Sequence, residues 1–228
     1  MASYTISKEE LIKLIVTRVN EKINSSSTCK PCSSSNHALI PLGVSNRHLR
    51  LTKETFHKLF GDETKFESDR PLYQPGEFAS KHTVMVVGSK LRSIPGVRIL
   101  GPLRKYDQVE ISYTDSIYLG VNTPVVNSGN LSDAAPITLV GPKESLFLEK
   151  AAIIASRHIH MTDADASKLG VKAGDYCKVR IGGVKGTVFE NVLIRTNDNW
   201  KLQIHLDTDD ANAANVTYEQ FVEFIGKM

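Results

Sequence analysis

From residue 37 onward the chain is cut into short alternating or apolar runs, and this constrains its fold more than any other feature. The runs ALIPLGVS, HTVMVVGS, GVRILGP, DQVEISY, PITLVGP, AAIIASRH, YCKVRIGG, TVFENVLIRT and WKLQIHLDT are separated by segments rich in Gly, Pro, Asn and Asp. Successive side chains of a strand point to opposite faces, so such runs between turn residues specify strands. Many short strands in series specify a barrel or a sandwich. Helical spacing is confined to brief pieces near 52–60, 114–120, 162–169 and 208–214, and to the tail 217–226. The expected fold is mainly β, with short helices closing the ends of the sheets.

The segment ahead of residue 37 has a different character. Ser7 is placed to cap a helix over 6–23, with Glu10 three residues on as in a capping box. Leu11, Ile12, Ile15, Val16, Val19 and Ile23 recur at helical spacing and make one apolar stripe. The Ser-rich stretch NSSSTCKPCSSSN follows and reads as a linker. An amphipathic helix on a linker either folds back onto its own domain or docks on a partner. Cys29 and Cys32 form a lone CxxC, which reads as incidental thiols without a second pair or a strand-turn-helix context.

Composition excludes several classes. The net charge is +3 with both signs interspersed, and no basic block carries interleaved aromatics, which argues against nucleic acid. No apolar run approaches the roughly 18 residues of a membrane span. Three cysteines and no secretory signal pattern point to a reducing cytosol. Walker, G-x-G-x-x-G and G-x-S-x-G patterns are absent from the sequence.

An internal repeat narrows the reading. Shifting residues 47–59 by 110 places Arg47 on Arg157, His48 on His158, Thr52 on Thr162, Lys58 on Lys168 and Leu59 on Leu169. A third echo is Thr114-Asp115 before Leu119-Gly120-Val121, which resembles Thr162-Asp163 before Leu169-Gly170-Val171. Two related halves follow. Yet residues 157–160 read RHIH where residues 47–50 read RHLR.

On a strand, His158 and His160 share one face, a sound geometry for two imidazoles on one metal ion. His205, in the strand-like KLQIHLD, is a candidate third ligand. Such a pair can equally form a polar patch. In the first half, His48 stands with Arg50, and Glu110 in QVEIS is a candidate carboxylate ligand or a solvated strand acid. A guanidinium has no lone pair to give, so that half is one ligand short. Arg104, after a Gly-Pro turn, can grip phosphate bidentately. With Arg50, Arg98 and Lys105 it forms either an anion site or a solvated basic face.

The stretches PLGVSNRHLRLT, QPGEFASKHTV, VRILGPLRKYDQVEISYTD, ITLVGPK, ASRHIHMTDADASKLGVKAGD and HLDTDDANAA, spread over 39–215, together resemble the microcompartment phosphate propanoyltransferases. These are zinc phosphotransacylases. The resemblance implies two β-barrels, one from 38–47 plus 155–226 and the other from 48–154. It implies a homodimer with two Zn2+ ions in an active site at the interface. His48 and Glu110 fall on ligands of one zinc, and His158, His160 and His205 on ligands of the second. Arg104 falls on the phosphate-binding arginine. Ser45, Arg70, Arg98, Leu100, His205 and Asn212 match positions around coenzyme A. Residues 1–23 match an encapsulation peptide for shell or cargo proteins, residues 24–37 its linker, and the location is the interior of a cytoplasmic microcompartment. The implied reaction joins a short acyl-CoA, such as propanoyl-CoA, and phosphate to give acyl phosphate and free coenzyme A. The departure is Arg50, which stands where the motif carries a histidine. It leaves two expectations, an enzyme of reduced activity or a silent paralogue serving as cargo or scaffold.

Overall fold

A computed structural model describes residues 37–217 and 220–228. The helix and linker expected over 6–36, with Cys29 and Cys32, lie outside the described residues. Among the described residues no helix is long and apolar enough to cross a membrane.

Two closed six-stranded barrels hold the chain together, each around its own apolar core. The first takes β1 (Leu39–Ser45), β10 (His158–Met161), β11 (Tyr176–Ile181), β12 (Thr187–Thr196), β13 (Gln203–Asp207) and β14 (Phe221–Lys227). Their order is β1-β13-β10-β12-β11-β14, and β14 returns to pair with β1. Ile40, Ile159, Val179, Val192, Ile204 and Val222 fill it. The second takes β2 (His48–Arg50), β4 (Phe78–Val87), β5 (Ser93–Gly101), β6 (Gln108–Glu110), β8 (Ala135–Val140) and β9 (Ser145–Ala155). Here β8 closes the ring by pairing with both β4 and β9. The short strands β3 (Ser68–Pro71) and β7 (Val125–Val126) flank it. Leu49, Phe56, Leu59, Val86, Ile99 and Leu139 lie in its core. Closure leaves neither ring an unpaired edge.

The repeat is a structural one. Each copy is a strand followed by a threonine-capped helix: β2 leads to α1 (Lys53–Phe60) and β10 to α3 (Asp163–Leu169). The Thr52 hydroxyl accepts from the Thr55 backbone N–H, and the Thr162 hydroxyl accepts from that of Asp165. A side-chain oxygen there satisfies an orphan donor of the first turn. The Leu-Gly-Val echo ends α2 (Tyr113–Leu119) and α3. Gly120 and Gly170 turn left-handed, at φ 72° and 69°. The amides of Val121 and Val171 then reach back to the carbonyls of Ser116 and Ala166, each at 3.0 Å. Glycine reaches that conformation without a Cβ penalty.

The tail corrects one expectation. Residues 221–227 form strand β14, not a helix. Val222 and Phe224 are buried inside the barrel. FVEF also carries helical spacing, but β1 and β11 each offer it a partner strand, and that pairing overrides local preference.

Candidate functional site

Backbone register assembles the site from two equivalent strand pairs. β10 runs antiparallel to β13, with His158 opposite His205 and His160 opposite Gln203. β2 runs antiparallel to β6, with His48 opposite Glu110 and Arg50 opposite Gln108. Gln-x-His in one pair therefore stands where Gln-x-Glu stands in the other. Both pairs line one cavity of about 730 Å3.

In the first barrel the donor nitrogens of His158, His160 and His205 all lie within 4.8 Å of one another. Hydrogen bonds orient two of the rings. His158 Nδ1 is 2.8 Å from the Ser156 carbonyl, so it must carry the proton and leave Nε2 as a lone-pair donor. His205 Nε2 is 3.0 Å from Gln203 Oε1, which assigns the lone pair to Nδ1. The Gln203 side chain packs over Gly43, where a Cβ would come within 2.6 Å of its amide nitrogen. Both ring nitrogens of His160 are buried without any hydrogen-bond partner. Its ring stacks on Trp200, with centroids 4.1 Å apart. Unpartnered polar nitrogens in a dry site are costly unless something else meets them. Three converging neutral imidazoles, one with both nitrogens orphaned, fit a bound metal ion.

The electrostatics agree with that fit. Burial pulls the His160 imidazole down to about 2 and His205 down to about 3. Burial also lowers His158. All three are neutral, ligand-competent rings at neutral pH. Each folded value lies below the ordinary 6.5, so the unfolded chain takes up protons first as pH falls. Their stabilisation is complete above pH 6.5 and lost progressively below it. Thermal melts of chelator-treated protein are expected to show a falling Tm from pH 7.5 to pH 5. A flat profile over that window would contradict a buried neutral triad.

The second barrel's half does not match. His48 Nδ1 lies 2.9 Å from the Asn46 carbonyl, as in the other copy, and its Nε2 is 3.6 Å from Glu110 Oε2. Glu110 accepts from the Ser128 hydroxyl at 2.7 Å and from the Gln108 amide at 2.6 Å. Burial works to raise its carboxyl, but the His48 ring and the Ser128 hydroxyl hold it below the ordinary carboxylate value. The third position is Arg50. Its Nη2 donates to Glu77 Oε2 at 2.7 Å, and its Nη1 is buried and unpartnered. Two donors and a guanidinium do not make a three-donor metal centre.

Arg104 lies on the same cavity. Its backbone N–H binds the Leu51 carbonyl at 2.7 Å, which ties it to the end of β2. Its Nη2 donates to Glu77 Oε1 at 2.7 Å, while its Nε is buried without a partner. Ser45, Arg70, Arg98 and Leu100 also line the cavity, and Arg98 is held by the Ser80 carbonyl at 2.8 Å. Asn212, on helix α4 (Thr208–Ala213), is not among the lining residues. Sequence reasoning did not single out Glu77, Gln203 or Trp200. The matched Gln-x-His and Gln-x-Glu triplets were the available signal for Gln203, but Glu77 and Trp200 had none beyond their neighbours.

The family model described as phosphate propanoyltransferase matches residues 41–217. The chain is 48% identical over 186 residues to the phosphate propanoyltransferase of Lachnoclostridium phytofermentans, covering 82% of this chain and 87% of that one. It is 47% identical over 176 residues to that of Thermotoga maritima, covering 77% and 83%. It is 46% identical over 176 residues to that of Salmonella typhimurium, again covering 77% and 83%.

Proposed function

Since the chain belongs to the phosphate propanoyltransferase family, we propose that it interconverts a short acyl-CoA plus phosphate with acyl phosphate plus coenzyme A, propanoyl-CoA being the reference substrate. One observation carries this reading. A three-imidazole centre and two guanidinium groups with unpartnered buried donors line a single cavity.

A phosphate oxygen attacks the thioester carbonyl carbon, the C–S bond breaks, and coenzyme A leaves as the thiolate. Arg104 holds the phosphate beside the thioester, converting a bimolecular encounter into an oriented one. Its charged donors also favour the anionic transition state. His158, His160 and His205 would hold a divalent ion such as zinc, which would supply Lewis-acid charge to the site. His158 is held to its ligand tautomer by the Ser156 carbonyl.

Arg50 decides between two versions of the proposal. In one, the enzyme works with a single metal ion per chain and a guanidinium in place of the other. In the second, the chain is a silent paralogue kept as microcompartment cargo or scaffold. The test is phosphate-dependent release of coenzyme A from propanoyl-CoA with zinc supplied, with Arg50→His run beside the native chain. We expect measurable turnover in the native chain, with about one zinc ion per chain rising to about two in the variant. Turnover higher in Arg50→His marks Arg50 as an impairment. Silence in both would favour the scaffold reading.

The proposal also takes Ser45, Arg70, Arg98, Leu100 and Asn212 as the surroundings of coenzyme A, and a homodimer as the working unit. Residues 1–23 address the chain to a microcompartment through shell or cargo proteins. A reporter fused to residues 1–36 is expected to enter assembled shells, and diffuse signal would sink that address.

A further inference from the structure

We infer that Glu77 is a positioning residue of the phosphate site, which ties Arg50 and Arg104 into one two-guanidinium seat for a tetrahedral oxoanion. The inference rests on the proposed reaction only for the identity of that anion as phosphate.

The geometry is specific. One carboxylate meets two arginines, one oxygen to each, both at 2.7 Å. Each guanidinium is therefore engaged at Nη2 and keeps a buried donor without a partner, Nη1 of Arg50 and Nε of Arg104. Two cations face one anion, so a positive charge is left over in a pocket rich in donors. Glu110 is already engaged by Ser128, Gln108 and the neighbouring His48 ring. An incoming phosphate offers what this pocket lacks, oxygens that accept from several directions at once.

Glu77 is itself anchored. The Leu72 N–H binds the Glu77 carbonyl at 3.0 Å, and the Glu77 N–H binds the Gln74 carbonyl at 3.2 Å. The Gln74 side chain crosses to the first barrel. Its Nε2 donates to the Lys201 carbonyl at 3.0 Å and lies 3.3 Å from Gln203 Oε1, the atom that also meets His205. One turn, residues 72–77, thus braces the arginine pair through Glu77 and the histidine centre through Gln74. Such bracing fixes the spacing between the anion seat and the three histidines, and the proposed reaction needs both beside one thioester.

A different role for Glu77 gives the opposite result. Were its carboxylate a plug that occupies the seat and competes with phosphate, removing it would tighten anion binding. The experiment uses the full chain with zinc supplied and the variants Glu77→Ala, Glu77→Gln, Arg50→Ala and Arg50→Ala/Glu77→Ala. Inorganic phosphate binding is measured by calorimetry without acyl-CoA, and KM is measured separately for phosphate and for propanoyl-CoA. Glu77→Ala is expected to weaken phosphate about tenfold in both Kd and KM. KM for propanoyl-CoA should change less than about twofold, with metal content per chain unchanged. Glu77→Gln, which keeps the shape and one acceptor, should fall between. The double variant should bind phosphate no worse than the weaker single variant, because the two residues act as one unit. Unchanged or tighter phosphate binding, additive losses, loss of metal, or no phosphate binding by the native chain would each overturn the inference. Weakened phosphate binding in a chain that never turns over propanoyl-CoA would uphold Glu77 and refute the proposed reaction.

Discussion

Replacing His160 with alanine is expected to lower the acyltransfer rate by about three orders of magnitude and metal affinity by more than about a hundredfold. Three imidazoles converge, and His160 is the one with no other duty: neither ring nitrogen has a hydrogen-bond partner. His158 and His205 keep hydrogen bonds to Ser156 and Gln203 whether or not a metal ion is present. Losing His160 therefore removes a ligand without untying the other two. Trp200 reads the event directly. It is the single tryptophan of the chain, and it stacks on the His160 ring at 4.1 Å. Zinc titration should change its fluorescence in the native protein and leave the variant flat. Retained zinc stoichiometry in His160→Ala would mean that these three histidines are only a polar patch.

The second large effect is expected for Arg104→Ala. Its kcat/KM for phosphate should fall by about two to three orders of magnitude, the scale of losing one well-placed charged donor. Metal content should hold, since Arg104 touches none of the three histidines through any hydrogen bond found. Arg104→Lys should recover only part of the loss, because an ammonium keeps the charge but not the fork geometry. A solvated basic side chain would behave otherwise, with less than about a threefold change in any constant. Arg104 is only about one-third exposed at its side chain, and its Nε is buried, which argues for the first outcome.

Much of the fold was legible because its determinants are local. Each of the nine runs read as strands contains a strand of the two barrels, or a large part of one. Thr52 and Thr162 cap the helices that follow them, and Gly120 and Gly170 end theirs, because caps and left-handed turns depend on a few adjacent residues. The tail failed for a related reason. FVEF satisfies two periodicities, and only the neighbouring strands β1 and β11 choose between them. Strands as short as β2, β3 and β7 leave too few residues to show any period.

At the site the same division holds. Alternation along a strand, with the chemistry of imidazole and guanidinium, determined from the sequence alone that His158 and His160 share a face and that Arg50 has no lone pair to offer a metal ion. Only the tertiary structure decided that His205 comes opposite His158, that Trp200 covers His160, and that Glu77 joins Arg50 to Arg104. Gln74 and Gln203 are separated by 129 positions and still meet at 3.3 Å. Contacts of that kind follow from the closure of two barrels, and no short-range pattern encodes where a closing strand will set its side chains.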